Sequence, residues 1–356
     1  MGQLFCCRKV DGNQLKYDQY LLQINRYVNN NDSNNNKKNK KNKKNNIFQF
    51  EEIIQNNNKN LDENLFPINS KFTMIFYEIN KNQKIIIERK LESIKTLEGL
   101  SELNHNNNLY LCGSSSLIPE SEDGSHFFQL NPLNPETKIL PKAKYPHYYP
   151  ALISIKKNYI YCIGGKSQHH CEGYNINENK WIPLPNLPEE RYLCTLCYDE
   201  INNIIYLFGG INDINHLHKN KLSIEYDYFL RLKNNFNDIN NNTNVSWEKV
   251  HVQNNKILLN RISAASLIFE NEENYIYIFG GRDDQGHYLN DAVKFYIDSQ
   301  SFQVIDQKLD FPTEFLNQYS IKSELNNFIY VFLDKFNNPI IIDKHNYVDF
   351  TFDELN

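Results

Sequence analysis

No apolar run in this chain approaches the roughly 18 residues that a membrane-spanning helix needs, and its first residues lack the apolar core of a signal peptide. Neither a span nor secretion is expected. The cysteines number seven, an odd count without a disulfide spacing pattern, which fits a reducing compartment and makes the sequons at Asn241 and Asn244 irrelevant as glycan acceptors. A glycine-rich phosphate loop, a nucleophile paired with a base, and two carboxylates at a recognisable spacing are all missing, so no common catalytic constellation is written here. Positive charge is scarce outside the first 46 residues. That segment carries ten Lys/Arg against Asp11, Asp18 and Asp32, or +7, which leaves −12 for the remainder of a chain whose net charge is −5. An acidic body argues against a nucleic-acid groove, because phosphate binding depends on clustered Lys and Arg.

What the chain does have is aromatic and β-branched weight. Its 23 Tyr and 22 Phe, with abundant Ile, favour strands, since these side chains suit a pleated, half-buried surface. A buried-strand run, Tyr159-Ile160-Tyr161-Cys162-Ile163, ends on Gly164-Gly165 and continues to Tyr174 and, seven residues on, Trp181. The run returns at Ile204–Phe208 with Gly209-Gly210, and at Tyr275–Phe279 with Gly280-Gly281. Aligned on the glycines, units begin at Gly113, Gly164, Gly209, Gly280 and, by position only, Leu333, separated by 51, 45, 71 and 53 residues. The long spacing is read as an Asn-rich loop insertion at about 230–245. Each unit reads as four short strands; in the clearest these are Ala151–Ile155, Tyr159–Ile163, Cys171–Ile176 and Lys180–Pro183. The glycine pair ends the second strand where a side chain would collide with the next sheet, and Tyr174 and Trp181 wedge between sheets as large apolar fillers. One such sheet cannot bury both its faces, so copies must stack.

These residues resemble the kelch repeat, in which a strand ends in Gly-Gly and is followed by a Tyr and then by a Trp. The likeness is strongest at Tyr159–Trp181. It extends to Tyr275–Phe302, where Phe295 and Phe302 replace the Tyr/Trp pair, and to Ile204–Trp247 once the insertion is allowed for. At Leu109–Ile139 the pair is Gly113-Ser114, and Phe128 and Ile139 take the aromatic places. At Phe328–Phe350 the glycines are lost. Upstream, Tyr77–Ile85 echoes the Tyr174–Trp181 segment. The resemblance implies an all-β fold, a kelch-type β-propeller with one four-stranded blade per repeat. From about Leu65 to Phe352 the six units average 48 residues, which predicts six blades, with seven or five as alternatives.

The N-terminal segment 1–46 reads differently from the propeller at 47–356. It opens Met1-Gly2-Gln3-Leu4-Phe5-Cys6-Cys7-Arg8-Lys9, similar to a myristoylation signal at Gly2 followed by palmitoylatable Cys6 and Cys7, although Cys6 stands where Ser or Thr is usual. One acyl chain binds only marginally, whereas a second chain or a basic cluster beside an anionic leaflet makes attachment stable. Tyr17, Tyr20, Leu21, Ile24 and Val28 have helical spacing, one stripe of an amphipathic helix; packing on the body or an unrelated strand is the alternative. Asn29–Asn46 is a low-complexity Asn/Lys tract with six lysines and almost nothing apolar to bury, so the arm is expected to be mostly disordered. A lipid anchor on the cytoplasmic face of a membrane follows, with the anionic surface as its partner. Nuclear import or plain compositional drift are the competing readings of the lysines.

Function rests on the blade ends. In kelch proteins the loops after the glycine pair and between blades commonly gather partner peptides, and arginines just before the innermost strand contribute. By position, Arg191 and Arg261 match that arginine, Arg282 and Asp283 follow a glycine pair, and His147, Tyr148 and Tyr149 occupy the corresponding inter-blade loop one repeat earlier. Arg and Tyr are enriched at interface hot spots, and a guanidinium holds a carboxylate by two parallel bonds. The expectation is therefore a monomeric, non-catalytic protein-interaction module, an adaptor or scaffold, with no metal and no cofactor. The alternative is a propeller enzyme, either a metal-dependent oxidase or a sugar-mutarotase-like protein working in the blade-top cleft. Its ligand-like residues are His169, His170, Cys171, His216 and His218. Cys194 and Cys197 have the spacing of a redox or zinc half-site, but residues three apart on a strand face opposite sides. The leader is too short and polar for a folded BTB domain, and no continuous helical pattern marks an F-box in 1–64.

Overall fold

The Tyr159 run forms a strand whose alternate side chains point to opposite faces, and both faces are buried: Ile160 and Cys162 enter one apolar core, Tyr161 and Ile163 another. The computed structural model of the protein describes residues 99–313 apart from breaks at 107, 114–121, 132–136, 167, 213–226, 234–244, 253–260, 269–273, 284 and 310–311, together with the backbone of the strands at 8–11, 14–17, 20–25, 71–78, 83–90, 321–322, 329–333 and 339–343. Gly2, Cys6, Cys7 and the lysine tract lie outside the described residues.

The architecture is an all-β propeller of small antiparallel sheets, with no α-helix among the described residues. A hairpin of β1 (Arg8–Asp11) and β2 (Gln14–Tyr17) comes first, then a three-stranded sheet of β3 (Tyr20–Asn25), β4 (Lys71–Glu78) and β5 (Gln83–Lys90). Blade A holds β6 (Leu100–His105), β7 (Asn108–Gly113), β8 (Phe127–Leu130) and β9 (Thr137–Ile139). Blade B holds β10 (Ala151–Ile155), β11 (Tyr159–Gly165), β12 (Gln168–Asn175) and β13 (Lys180–Pro183). Blade C is β14 (Thr195–Asp199), β15 (Ile204–Phe208), β16 (Tyr228–Lys233) and β17 (Glu248–His251), and blade D is β18 (Ala265–Leu267), β19 (Tyr275–Phe279), β20 (Asp291–Tyr296) and β21 (Ser301–Lys308). A second three-stranded sheet, β22 (Ile321–Lys322), β23 (Ile329–Leu333) and β24 (Pro339–Asp343), follows. The first strands β6, β10, β14 and β18 touch in succession, and β3 touches β6.

The cores lie between blades rather than within them. Tyr110, Cys112 and Phe127 of blade A meet Ile160, Cys162 and Tyr174 of blade B; Ile163 and Cys171 of B meet Leu207 and Leu230 of C; Phe208 and Phe229 of C meet Ile278, Val293 and Phe295 of D. The aromatic wedge is real. Tyr174 and Trp181 pack edge-on to Phe127 with ring centroids 4.8 and 4.9 Å away, and Phe295 and Phe302 stand 5.3 and 6.0 Å from Phe208. Each such pair adds about 0.5–1.5 kcal/mol beyond its burial. Both tryptophans also fasten to the chain leaving the preceding blade: the Trp181 indole donates to the Pro141 carbonyl at 2.7 Å and the Trp247 indole to that of Pro185 at 2.9 Å.

Four expectations are corrected. Four blades have four strands, rather than six; the outer units are three-stranded sheets. The insertion does not begin at residue 230, because Leu230–Lys233 belong to β16, where Leu230 and Leu232 are fully buried. The added length of blade C falls on both sides of that strand, at 213–226 and 234–244. In blade A, Phe128 and Ile139 are not the wedge pair. Leu109, four residues before Gly113, pairs with Leu130, just as Ile160 pairs with Tyr174, so the ladder assigns those places to Leu130 and Thr137 and leaves Ile139 65 % exposed. Finally, the helical stripe of 17–28 is not a helix: its described part is β2 and β3, and β3 pairs with β4 through Leu21 and Tyr77. Sheet pairing overrode a period too short to be decisive. The sheet of β3 therefore begins inside the segment read as an arm.

Candidate functional site

Strand ends and lead-in loops converge at the end of the blades that carries the glycine pairs. Each blade from B to D is preceded by three residues in one conformation, His147-Tyr148-Tyr149, Arg191-Tyr192-Leu193 and Arg261-Ile262-Ser263, the third of which is left-handed with φ of 51°, 54° and 51°. Gly99, with φ 73°, precedes β6 in the same way. The amide of Tyr149 donates to the Gly99 carbonyl at 2.9 Å, that of Leu193 to Tyr149 at 3.5 Å, and that of Ser263 to Leu193 at 3.0 Å. A chain of backbone bonds thus runs from lead-in to lead-in across all four blades.

The glycine pairs lock onto this rim. Gly165 donates its amide to the Arg191 carbonyl at 3.0 Å, Gly210 to that of Arg261 at 3.2 Å, and Gly281 to that of Thr313 at 2.8 Å. Side chains are excluded there: a Cβ on Gly281, whose φ is 90°, would stand 2.7 Å from the Ile262 carbonyl oxygen, and one on Gly164 would overlap the Arg191 carbonyl. Gly209 and Gly280 also have positive φ, 58° and 56°.

The first lead-in residue uses its side chain to close the same seam. His147 places Nδ1 2.7 Å from the Gly164 carbonyl oxygen, Arg191 donates to that of Gly209 at 3.3 Å, and Arg261 to that of Gly280 at 3.0 Å. Each then meets a carboxylate. His147 Nε2 lies 3.2 Å from Glu172, Arg191 Nη2 2.5 Å from Glu189, and Arg261 grips Asp291 through two bonds of 3.0 and 2.9 Å. Burial pushes the Glu172 carboxyl up, but bonds from His147 and from the amides of Tyr145 and Lys144 outweigh it and hold it below its usual range. Glu189 is likewise raised by burial and more than compensated by the Tyr228 hydroxyl, Arg191 and Lys249. That hydroxyl, buried and bonded to a carboxylate, is pushed up in turn.

The structure therefore separates the residues chosen from the sequence into two groups. His147, Tyr148, Arg191 and Arg261 are buried and engaged in the seams. Tyr149, Arg282 and Asp283 are half-buried on the same end. Arg282 lies over the Tyr288 ring at 5.8 Å, and Asp283 ties its loop by accepting from the amides of Gln285 and His287 at 2.9 and 2.8 Å and pairing with the His287 ring at 3.1 Å. Glu172, Glu189 and Asp291 were not read from the sequence. A charged residue inside an apolar strand, as in Cys171-Glu172-Gly173-Tyr174, was the available signal, since a buried charge must find a partner.

Of the ligand-like residues, His169 and His170 are adjacent with ring centroids 4.5 Å apart and planes tilted by 35°, and His170 lies flat on Tyr145 at 3.7 Å, while Cys171 turns into the B–C core. His216 and His218 lie outside the described residues. Among the described residues no group of three or more His, Cys, Asp or Glu is placed to hold a metal ion. Cys194 packs in the B–C core and Cys197 in the C–D core, the opposite faces that strand alternation requires. No family model matches the chain, and no curated protein matches it.

Proposed function

We propose that this chain is a kelch-type propeller of six units, non-catalytic, that docks protein partners on its glycine-pair end and is held at a membrane by its N-terminal arm. The observation that carries the reading is a rim fixed by backbone bonds from Gly99 to Ser263, with half-exposed Arg, Tyr and His side chains set directly outside it. A rigid scaffold presenting such side chains binds without first ordering its loops. Six units are favoured by register: Leu21 pairs with Tyr77 as Ile160 pairs with Tyr174, and Ile329 of the last sheet pairs with Asp343 four places before the position of the lost glycine.

The docking test compares two charge variants in cross-linked complexes from cells. Arg282→Glu with His287→Glu alters the glycine-pair end, and Ile201→Asp alters an exposed turn at the other end. Loss of partners with the first but not the second is the expected result; equal retention removes the proposed face. The tether rests on Gly2, Cys6 and Cys7 as an acylation signal, and Gly2→Ala is expected to shift the protein from membranes to cytosol. Unchanged partition removes the anchor.

A further inference from the structure

The charge of the body is not spread evenly. Residues 137–188 contain seven lysines and two carboxylates, Glu172 and Glu178, a net of +5, whereas the remainder of 47–356 sums to −17. Lys156, Lys157 and Lys180 lie at turns of the opposite end, which leaves Lys142, Lys144 and Lys166 at the glycine-pair end. Glu172 is buried beneath it, and Glu178 sits in the turn at the opposite end, paired with Lys180. A basic sector of three lysines thus lies at the glycine-pair end of the A–B seam.

Within that sector the side chains form a built shelf. The Glu172 carboxylate accepts the amides of Lys144 and Tyr145 at 3.1 and 3.0 Å, which pins the loop between β9 and β10. So held, the Tyr145 ring lies parallel to His170 at 3.7 Å and 10°, His169 adjoins His170 at 4.5 Å with its ring tilted by 35°, and the Lys144 ammonium stands 5.1 Å from the Tyr145 ring centre. His170 is also steadied by Asn186, whose Oδ1 is 3.4 Å from Nδ1. One turn away, the half-exposed Lys166 is anchored by its amide to the Tyr148 carbonyl at 2.7 Å. Preorganised aromatic rings flanked by cations bind an anionic, partly apolar chain at little entropic cost.

We propose that this shelf of Lys144, Tyr145, Lys166, His169 and His170 is the docking site for an acidic peptide segment of a partner protein. The inference rests on the interaction-module reading and adds the chemistry of the partner. A segment rich in Asp and Glu is attracted by these lysines, which favours its landing there and speeds its arrival. An anionic lipid surface shares the charge but has no use for a fixed stack of Tyr145 on His170.

The test is fluorescence anisotropy with a labelled Glu-rich peptide and its Gln counterpart on the full-length protein. The Glu peptide is expected to bind at least about tenfold tighter at low salt and to lose that margin as salt screens it. Lys144→Glu with Lys166→Glu should abolish binding while leaving the thermal melt unchanged, and Tyr145→Ala should weaken it without changing net charge. Binding lost with Arg282→Glu but kept with the lysine reversals overturns the shelf and leaves the interaction module standing. Equal binding of the Glu and Gln peptides overturns the acidic partner and leaves the module standing, whereas indifference to both variants overturns both. Binding of phosphatidylserine vesicles that the lysine reversals remove, with no peptide binding, overturns the peptide in favour of a membrane.

Discussion

Arg261→Met keeps most of the volume of the side chain and removes every donor. In the native seam the guanidinium is 3 % exposed and donates to Asp291 at 3.0 and 2.9 Å and to the Gly280 carbonyl at 3.0 Å. Asp291 is 25 % exposed, so it recovers water when its partner goes, and the pair counts for about 1 kcal/mol after solvent screening. The Gly280 carbonyl is buried beside it, and an acceptor left without its donor there costs about 1–3 kcal/mol. Together they predict a loss of about 3 kcal/mol, or a fall in Tm of about 5 °C for a domain of this size. Urea denaturation followed by tryptophan fluorescence measures it, with Lys166→Met, a surface change, expected within about 0.5 kcal/mol of wild type. Asp291→Asn completes a double-mutant cycle, which should show a coupling of about 1 kcal/mol. A loss below about 0.5 kcal/mol for Arg261→Met, or a cycle with no coupling, would refute the claim that this side chain closes the C–D seam.

Two glycines with nearly equal φ separate conformation from contact. Gly286→Ala, at φ 85° with nothing within 4 Å of the new Cβ, should cost only the left-handed penalty of about 1 kcal/mol, whereas Gly281→Ala, at φ 90° and 2.7 Å from the Ile262 carbonyl oxygen, should cost at least about 2 kcal/mol more; equal losses in urea would mean that the seam yields. His105 predicts a pH dependence. Burial holds its pKa below 6.5, against the opposing bond to the Lys157 carbonyl, so the folded state favours the neutral ring and loses stability as pH falls through the window beneath 6.5. Urea midpoints at about pH 7.5 and about pH 5.5 should differ less in His105→Gln than in wild type; an identical difference removes His105 from the account.

The two inner strands of blade B were legible almost to the residue, because they are apolar runs buried on both faces, whereas β12 starts three residues before Cys171, in the polar and partly exposed Gln168-His169-His170. Register was not. Aromatic residues in blade A drew the eye to Phe128, while the ladder counts from the glycine and arrives at Leu130. The lead-in positions at Arg191 and Arg261 were found correctly and their burial was not, since one-dimensional spacing gives an arginine no depth. What hid Tyr145 was its partner: the stack joins the loop leading into blade B to His170 of β12, with Glu172 beneath them accepting the Tyr145 amide.

The seams share a template that is backbone rather than side chain. A left-handed residue follows each lead-in, positive-φ glycines face it, and amide-to-carbonyl bonds connect the two. Given that frame, any side-chain nitrogen of suitable reach closes the seam: His147 in one, Arg191 and Arg261 in the others. The carboxylate comes from the third strand in Glu172 and Asp291 but from the lead-in loop in Glu189. Geometry of this kind constrains φ and clearance at a few positions and leaves residue type free elsewhere, while blades B and D keep one register relative to their glycines. The residues released from that constraint are the ones just outside the rim, and it is there, at Lys144, Tyr145, Lys166 and Arg282, that chemistry specific to this chain has room to accumulate.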